Sequence, residues 1–273
     1  MTAEGEYLFE IQDAVGVITL NRPKKLNSIT WDLSRDLVEL LRGLRQRDEV
    51  RVIVLTGAGR GFCSGGDAGW LSGSDERGMP GLSEAQLERY QRKTPAGPVA
   101  ELTRMIIEVD KPVIAALHGP VMGAGLSFAL ACDRRFGERT TRMCAAMVRL
   151  GFAPDTGITY FLPRVTRLST ALMMVETGRI LEADECFREG LIDELVDEGK
   201  ALPAAMAYAK ELAAGPSVAV DLARRFIHKS LTSTLDEMLD YEAVAATMSA
   251  HTADAREGTS AFVQKRKPDF KGC

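Results

Sequence analysis

The chain has 273 residues, with 34 Lys and Arg against 38 Asp and Glu and a formal net charge of −4 at pH 7. Apolar residues make up 45% and charged residues 26%, the balance of an ordinary globular protein with one large domain or a domain plus an appendage. Slight acidity excludes wholesale binding to nucleic acid or to an anionic membrane surface, so an anionic ligand would have to meet a local basic patch.

In chain order, Leu8 to Ile11 and Val15 to Leu20 alternate like a half-buried hairpin around Asp13 and Ala14. Thr30 is a suitable N-cap for a helix from Trp31 to about Arg47, in which Leu33, Leu37, Leu40, Leu41 and Leu44 recur at helical spacing. Val52 to Thr56 is an apolar strand, and a glycine-rich loop follows it. Residues 69 to 98 are rich in Gly, Pro and Ser, with a short helical pattern only over Glu84 to Arg92; long loops of this kind tend to be functional. A helix from Pro98 to Asp110 leads to the buried strand Val113 to Leu117, the turn His118-Gly119-Pro120 and an apolar helix over Leu126 to Ala131.

A short strand is expected near Arg135 to Gly137, then helices over Thr166 to Thr177 and Glu182 to Glu189, and a strand over Leu191 to Val196. From about Leu202 the pattern is helical throughout: Pro203 to Ala214, Ser217 to Ser230, Leu235 to Met248 and Ala253 to Lys265. That shift from alternating β and α to helices alone divides the chain into a core, residues 1–201, and a helical region, residues 202–273. The five cysteines, Cys63, Cys132, Cys144, Cys186 and Cys273, are odd in number and scattered, which is no disulfide framework. Cys63, Cys132 and Cys144 stand among apolar residues as small core side chains. Without a charged-then-apolar leader or a long apolar span, the expected location is the cytoplasm. No His, Cys and Asp cluster has metal-ligand spacing, so no metal is expected.

Two segments carry the chemistry. Gly57-Ala58-Gly59-Arg60-Gly61-Phe62-Cys63-Ser64-Gly65-Gly66-Asp67 holds five glycines in eleven residues, and the apolar pair Phe62-Cys63 inside it suggests a loop folded back on the core. Neither a Walker loop nor a dinucleotide fingerprint fits its spacing. In the second segment, a strand feeds Gly123-Ala124-Gly125 and then a helix. That arrangement leaves free backbone N–H groups at the positive end of a helix dipole, where charge developing on a substrate oxygen can be held.

Together the two segments resemble the crotonase (enoyl-CoA hydratase/isomerase) superfamily, and the resemblance runs nearly the length of the chain. Asn21 to Ser28 is similar to its early adenine-binding segment, Gly61 to Asp67 to the loop supplying the first oxyanion-hole N–H, His118 to Asp133 to its signature, and Gly258 to Phe270 to its terminal helix. Arg134 departs from the signature, which usually has an apolar residue there. The resemblance implies an α/β fold: a core of ββα spiral turns with a C-terminal helical region that assembles a homotrimer or a dimer of trimers. The apolar content of the tail, Phe226, Ile227, Leu235, Met238 and Val244 among it, fits such a role. It also implies an acyl-CoA ligand and no separate cofactor, coenzyme A entering as part of the thioester. The oxyanion donors carried over are the N–H groups of Ser64 and Ala124. The ligand would be held by Lys24, Lys25 and Leu26, by Gly65, Gly66, Asp67 and Ala68, by Gly123, and by Lys265 of the same or a neighbouring subunit. Trp70 and Met79 are candidates to line the acyl pocket.

The acids choose among the family's reactions. Its hydratases hold a water between two glutamates, and the matching positions here are Ser127 and Met147, neither of which can move a proton at neutral pH. Asp155 remains. Read from its neighbours alone, Pro154-Asp155-Thr156-Gly157 is an ordinary turn and the aspartate a helix cap. Yet Gly151 to Arg164 resembles the bacterial phenylacetate-pathway isomerases, which place a single catalytic aspartate at this position. The reading is therefore an enoyl-CoA isomerase with Asp155 as base. A hydratase-like or hydrolase member, or a catalytically weak acyl-CoA-binding protein, stands as the alternative. Asp67 is read as a loop anchor, and His118 as a structural hydrogen-bonding residue.

Overall fold

The computed structural model describes residues 5–67, 69 and 97–273; Ala68, Trp70, Met79 and the helical pattern over 84–92 lie outside the described residues. The alternation near the N-terminus forms a hairpin of β1 (Tyr7–Gln12) and β2 (Val15–Leu20). Asp13 and Ala14 turn it with φ of 51° and 62°, the left-handed pair that matches the twist of the flanking strands. Further strands follow in chain order: β3 (Val52–Gly57), β4 (Val113–Leu117), β5 (Pro120–Met122), β6 (Arg134–Glu138), β7 (Arg142–Cys144), β8 (Leu181–Glu182) and β9 (Glu194–Val196). The larger sheet has the order β1-β2-β3-β4-β6-β9, parallel after the first hairpin, and a small second sheet has the order β5-β7-β8. β3 and β4 are buried along their whole length, as a sheet covered on both faces requires.

The chain alternates between the two sheets. β4 of the large sheet passes to β5 of the small one, then through a helix to β6, and again to β7. Earlier turns repeat this with isolated parallel bridges, Ile29 to Gly66 and Cys63 to Val121. Each turn is thus strand, short strand, helix: the expected ββα spiral. β5 begins at the expected turn residue Pro120, and β7 lies in a stretch to which the sequence reading assigns no element. Three residues carry no period that could be detected, and these become strands only by pairing with each other, Val121 opposite Met143.

One face of the large sheet is covered by α1 (Trp31–Leu44), α2 (Gly97–Glu108), α3 (Ala124–Ala131), α4 (Ile158–Val165) and α5 (Leu168–Thr177), and the short α6 (Ala183–Arg188) precedes β9. Thr30 caps α1 by accepting the Leu33 N–H at 3.2 Å, and Leu33, Leu37, Leu41 and Leu44 are its buried stripe. The helix expected over Thr166 to Thr177 is α5, preceded by a separate α4. The other sheet face is closed by α7 (Ala201–Ala213), whose Ala201, Ala205, Ala209 and Ala213 lie against Val15, Val17, Val52, Val54, Ile114 and Phe136. Alanine at every fourth residue lets the helix axis approach the sheet closely.

The part of the helical region that stands off the sheet therefore begins after α7, with α8 (Ser217–Ser230), α9 (Leu235–Ala250) and α10 (Ala253–Gln264). It is tied to the core mainly by charge. Arg224 donates to Asp133 at 2.7 Å and to the Ile107 carbonyl at 2.7 Å, and Arg225 donates to Asp110 at 2.7 Å. Between α8 and α9 runs an open groove of about 610 Å³ lined by Leu222, Phe226, Ile227, Leu235 and Met238. Ile227 and Leu235 are more than 70% exposed, a large apolar surface for a single chain.

Candidate active site

The loop after β3 is built around Asn27. This buried residue, with φ 55°, donates from its amide to the carbonyls of Ala58 (2.9 Å) and Gly61 (2.7 Å) and accepts the Arg22 N–H (2.9 Å). Phe62 and Cys63 are fully buried, which folds the loop onto the core as the sequence suggests. Cys63 then pairs with the small sheet: its N–H meets the Pro120 carbonyl (3.1 Å), and its carbonyl accepts the Met122 N–H (2.9 Å). That pairing lays the loop beside the N-terminus of α3. The approach is so close that a Cβ on Gly125 would lie 2.5 Å from the Cys63 carbonyl oxygen. Glycine there is a packing requirement, because any side chain would push α3 off the loop.

Gly65 consequently lies against Gly123 and Ala124. A Cβ on Gly65 would sit 3.4 Å from the Ala124 nitrogen. Ala124 is the first residue of α3, with Gly123 (φ 52°) as its cap, so its N–H has no partner within the helix and stands at the positive end of the dipole. The other expected donor requires a correction. The Ser64 N–H is bonded to the Leu26 carbonyl at 2.9 Å and is not available to a ligand. Gly65, at φ 95°, turns the chain. On its far side Gly66 is bracketed by bonds from Ile29 N–H to the Gly65 carbonyl (2.8 Å) and from Asp67 N–H to the Ile29 carbonyl (3.0 Å). In a parallel bridge the central residue's own N–H points away from its partner strand. Gly66 is exposed, and its N–H makes no hydrogen bond among the described residues. Gly66 and Ala124 therefore both carry open N–H groups at this junction.

Asp67 anchors the loop, as expected. Its buried carboxylate accepts from the Arg22 guanidinium (3.0 Å), the Ser28 hydroxyl (2.9 Å) and the Gly69 N–H (3.1 Å). These bonds hold the carboxylate in place as part of the loop's own framework. Lys24 and Lys25 lie in the exposed 3-10 turn Pro23–Lys25, and the Lys25 carbonyl accepts from the Ser64 hydroxyl at 3.3 Å, so both lysines border the loop. Lys265 ends α10. No hydrogen bond or ion pair joins it to residues 21–28 or 61–67 among the described residues. The chain's last residues are instead tied to Arg51, through the Lys271 carbonyl, at the end of β3 opposite the loop.

Asp155 lies on the turn between Gly151 and Gly157, both left-handed at φ 75° and 98°. The cap of α4 is Gly157, and no side chain caps that helix, so the capping alternative for Asp155 falls away. The residue reaches solvent, and no side-chain hydrogen bond to another residue holds its carboxyl among the described residues. Partial burial pushes its pKa above the ordinary carboxylate value, against a smaller opposing effect of its own backbone N–H. Its neighbour Thr156 is buried and shares a hydrogen bond of 2.6 Å with the Ser127 hydroxyl. Met147 is at the site as well: its sulfur would lie 3.8 Å from a Cβ on Gly123.

His118 Nε2 donates to the Gly59 carbonyl at 3.1 Å, the structural role expected of it. Arg134 is accommodated over the Tyr208 ring, 4.8 Å from its centroid. All five cysteines are free, and four are buried; burial pushes the Cys63 thiol up to about 12, far from a nucleophile's range. Sequence reasoning missed Gly66 as an open donor and Thr156 as the partner of Ser127. The first depends on the φ of Gly65. The second joins side chains 29 residues apart, and no local pattern marks such a pair.

An open N–H at Gly66 and another at Ala124 lie where a glycine loop meets a helix N-terminus, with a carboxyl on a neighbouring turn, in a ββα spiral. This is the class of site that stabilises an oxyanion beside an acid–base group. The profile of the enoyl-CoA hydratase/isomerase family matches residues 10–273, and the chain belongs to that family, the crotonase superfamily. It is 34% identical over 265 residues to the 1,2-epoxyphenylacetyl-CoA isomerase of Escherichia coli K12, covering 97% of this chain and 98% of that one. It is 28% identical over 264 residues to the crotonyl-CoA hydratase of Syntrophomonas wolfei, covering 96% of each. The crystal structure of an enoyl-CoA hydratase from Bacillus anthracis superposes with a TM-score of 0.87 at 29% identity, covering 98% of this chain and all of that one. The protein is thus an acyl-CoA enzyme of a family whose members are named both isomerases and hydratases. Among the described residues no helix is long and apolar enough to cross a membrane.

Proposed function

We propose that the protein is an enoyl-CoA isomerase that moves a carbon–carbon double bond by a proton shift on a single carboxylate. The observation that carries this reading is Asp155: a carboxyl with a raised pKa and, among the described residues, no side-chain hydrogen bond to another residue, beside a site where Ser127 and Met147 offer no acid. The thioester oxygen lies between the N–H groups of Gly66 and Ala124. Asp155 removes a proton from one carbon of the acyl chain, and the C–H electron pair moves toward the thioester oxygen as an enolate. The two N–H donors stabilise that oxygen by several kcal/mol in a water-poor site. Reprotonation by the same carboxyl at another carbon moves the double bond with no change of mass. Hydration would need a second acid–base group to hold water. That one relative is named an isomerase of an aromatic CoA thioester is consistent with this choice.

The test is incubation with cis-3-enoyl-CoA, trans-2-enoyl-CoA and saturated acyl-CoA, followed by mass. Double-bond migration at constant mass is expected. Gain of water would indicate a hydratase, free CoA a hydrolase, and binding without turnover a binding protein.

The exposed Lys24 and Lys25 are proposed to meet the phosphates of the nucleotide as point charges, with coenzyme A as part of the substrate and no separate cofactor. Charge reversal at both is expected to raise the KM for CoA esters at least tenfold, a loss of about 1.4 kcal/mol. It should leave the KM of short thioesters lacking the nucleotide unchanged; equal effects on the two substrates would remove the lysines from the nucleotide site.

The groove between α8 and α9, with its exposed Ile227 and Leu235, is proposed to be covered in a trimer or dimer of trimers by residues 202–273, closed symmetry leaving no propagating surface. That assembly is also the one in which Lys265 could reach a neighbour's site. Sedimentation at low micromolar concentration should give three or six copies, and a stable monomer would exclude the assembly. Four buried thiols and free Cys273 suit a reducing compartment, in line with the proposed cytoplasmic location.

A further inference from the structure

Ser127 and Thr156 take no part in the proton shift above, yet they form a direct polar contact between the two halves of the site. Ser127 stands one helical turn after Ala124 on α3, so the two share a helix face. Thr156 directly follows Asp155. Their hydroxyl oxygens are 2.6 Å apart, and the side chains are 0% and 4% exposed. Buried hydroxyls are costly unless they are hydrogen-bonded, so breaking this pair would leave one of them unsatisfied. Among the described residues Asp155 and Thr156 make no other side-chain hydrogen bond to another residue; the turn has left-handed glycines at both ends, and no side chain caps the helix it enters.

We propose that the Ser127–Thr156 hydroxyl pair is a positioning device for the proton shift, holding the turn that carries the Asp155 carboxyl at a set distance from the Ala124 N–H. The inference rests on the isomerase reading, because only a base acting on a carbon next to the held thioester needs that distance fixed. Base and oxyanion donor lie on elements that meet through this bond, and a displacement of about 1 Å between reacting groups can cost a hundredfold in rate. Both residues act through Asp155 and Ala124, and neither exchanges a proton with the substrate.

The experiment uses the full chain with a cis-3-enoyl-CoA and measures kcat, KM and thermal unfolding for Ser127→Ala, Thr156→Val, Thr156→Ser and Asp155→Asn. Thr156→Val keeps the side-chain shape and removes the hydroxyl. It is expected to lower kcat roughly tenfold to a hundredfold with KM unchanged, and Ser127→Ala is expected to do the same. Thr156→Ser, which keeps the bond, should stay within a few fold of the parent. Adding Ser127→Ala to Asp155→Asn should cause no further loss, since residues that act as a unit are not additive. Wild-type kcat in Thr156→Val, failure of Thr156→Ser to retain activity, or a full additional loss in the double variant would each overturn the proposal. Should Ser127→Ala fail to fold, Thr156→Val reads the same contact, and the pairing of Thr156→Val with Asp155→Asn replaces the double variant. A parent enzyme that leaves cis-3-enoyl-CoA unchanged would instead overturn the isomerase reading, and an active Asp155→Asn the assignment of Asp155 as its base, so these failures are separable from that of the hydroxyl pair.

Discussion

Asp155→Asn is expected to lower enoyl-CoA isomerisation by roughly 10²- to 10⁴-fold, the usual contribution of a positioned general base, while leaving affinity for a saturated acyl-CoA unchanged. The substitution keeps the shape but replaces the ionisable carboxyl with a neutral amide that cannot act as a base. Burial raises the folded pKa of this carboxyl above its ordinary value, so the ionised form that acts as base is the form the folded protein disfavours. Stability from this group is therefore present below the ordinary carboxylate pKa and lost as pH rises through the raised one. Asparagine carries no charge to desolvate, and at neutral pH the variant should unfold no earlier than the parent. The same shift places the acid limb of the kcat profile above the range of a free carboxylate. Near-parental activity in the variant, measured by double-bond migration at constant mass, would remove Asp155 from the mechanism.

Ala124→Pro should be almost as damaging, through one hydrogen atom. Ala124 is the first residue of α3, a position where proline is tolerated because the N–H has no intrahelical partner and the fixed φ suits a helix. The replacement removes a candidate oxyanion donor while the helix persists. Loss of one such donor is expected to cost about 10²–10³ in kcat, with far-UV circular dichroism unchanged. Parental turnover in a folded Ala124→Pro would show that the Ala124 N–H does not meet the thioester oxygen. The same substitution at Ser64 would be a poor test of the hole, since the N–H there already serves the Leu26 carbonyl.

That contrast marks where sequence reading stops. Strand β4, the glycine junction and the apolar helix after it were legible because buried strands and glycine turns have local signatures, and the resemblance of that segment to the family signature pointed to Ala124. The choice between Ser64 and Gly66 was not legible. It depends on a single φ at Gly65 and on pairing with Ile29, which is remote in the chain. Asp155 was ambiguous between cap and base from its neighbours alone; the family resemblance favoured the base, and Gly157 as the cap of α4 removed the capping alternative.

The helical tail shows the same limit on a larger scale. Its helices could be read from periodicity, and Ser217 to Ser230 agrees residue for residue with α8. Their partners could not. The Ala201, Ala205, Ala209 and Ala213 stripe assigns α7 to the sheet, whereas α8 and α9 leave an apolar groove uncovered. By itself the sequence determined the alternation of strands and helices, the two glycine segments and the absence of acids at Ser127 and Met147, because these follow from residue types and short spacings. Only the tertiary structure decided which N–H groups stay open, which hydroxyls meet and which helices cover the core, because each depends on pairing between residues distant in the chain.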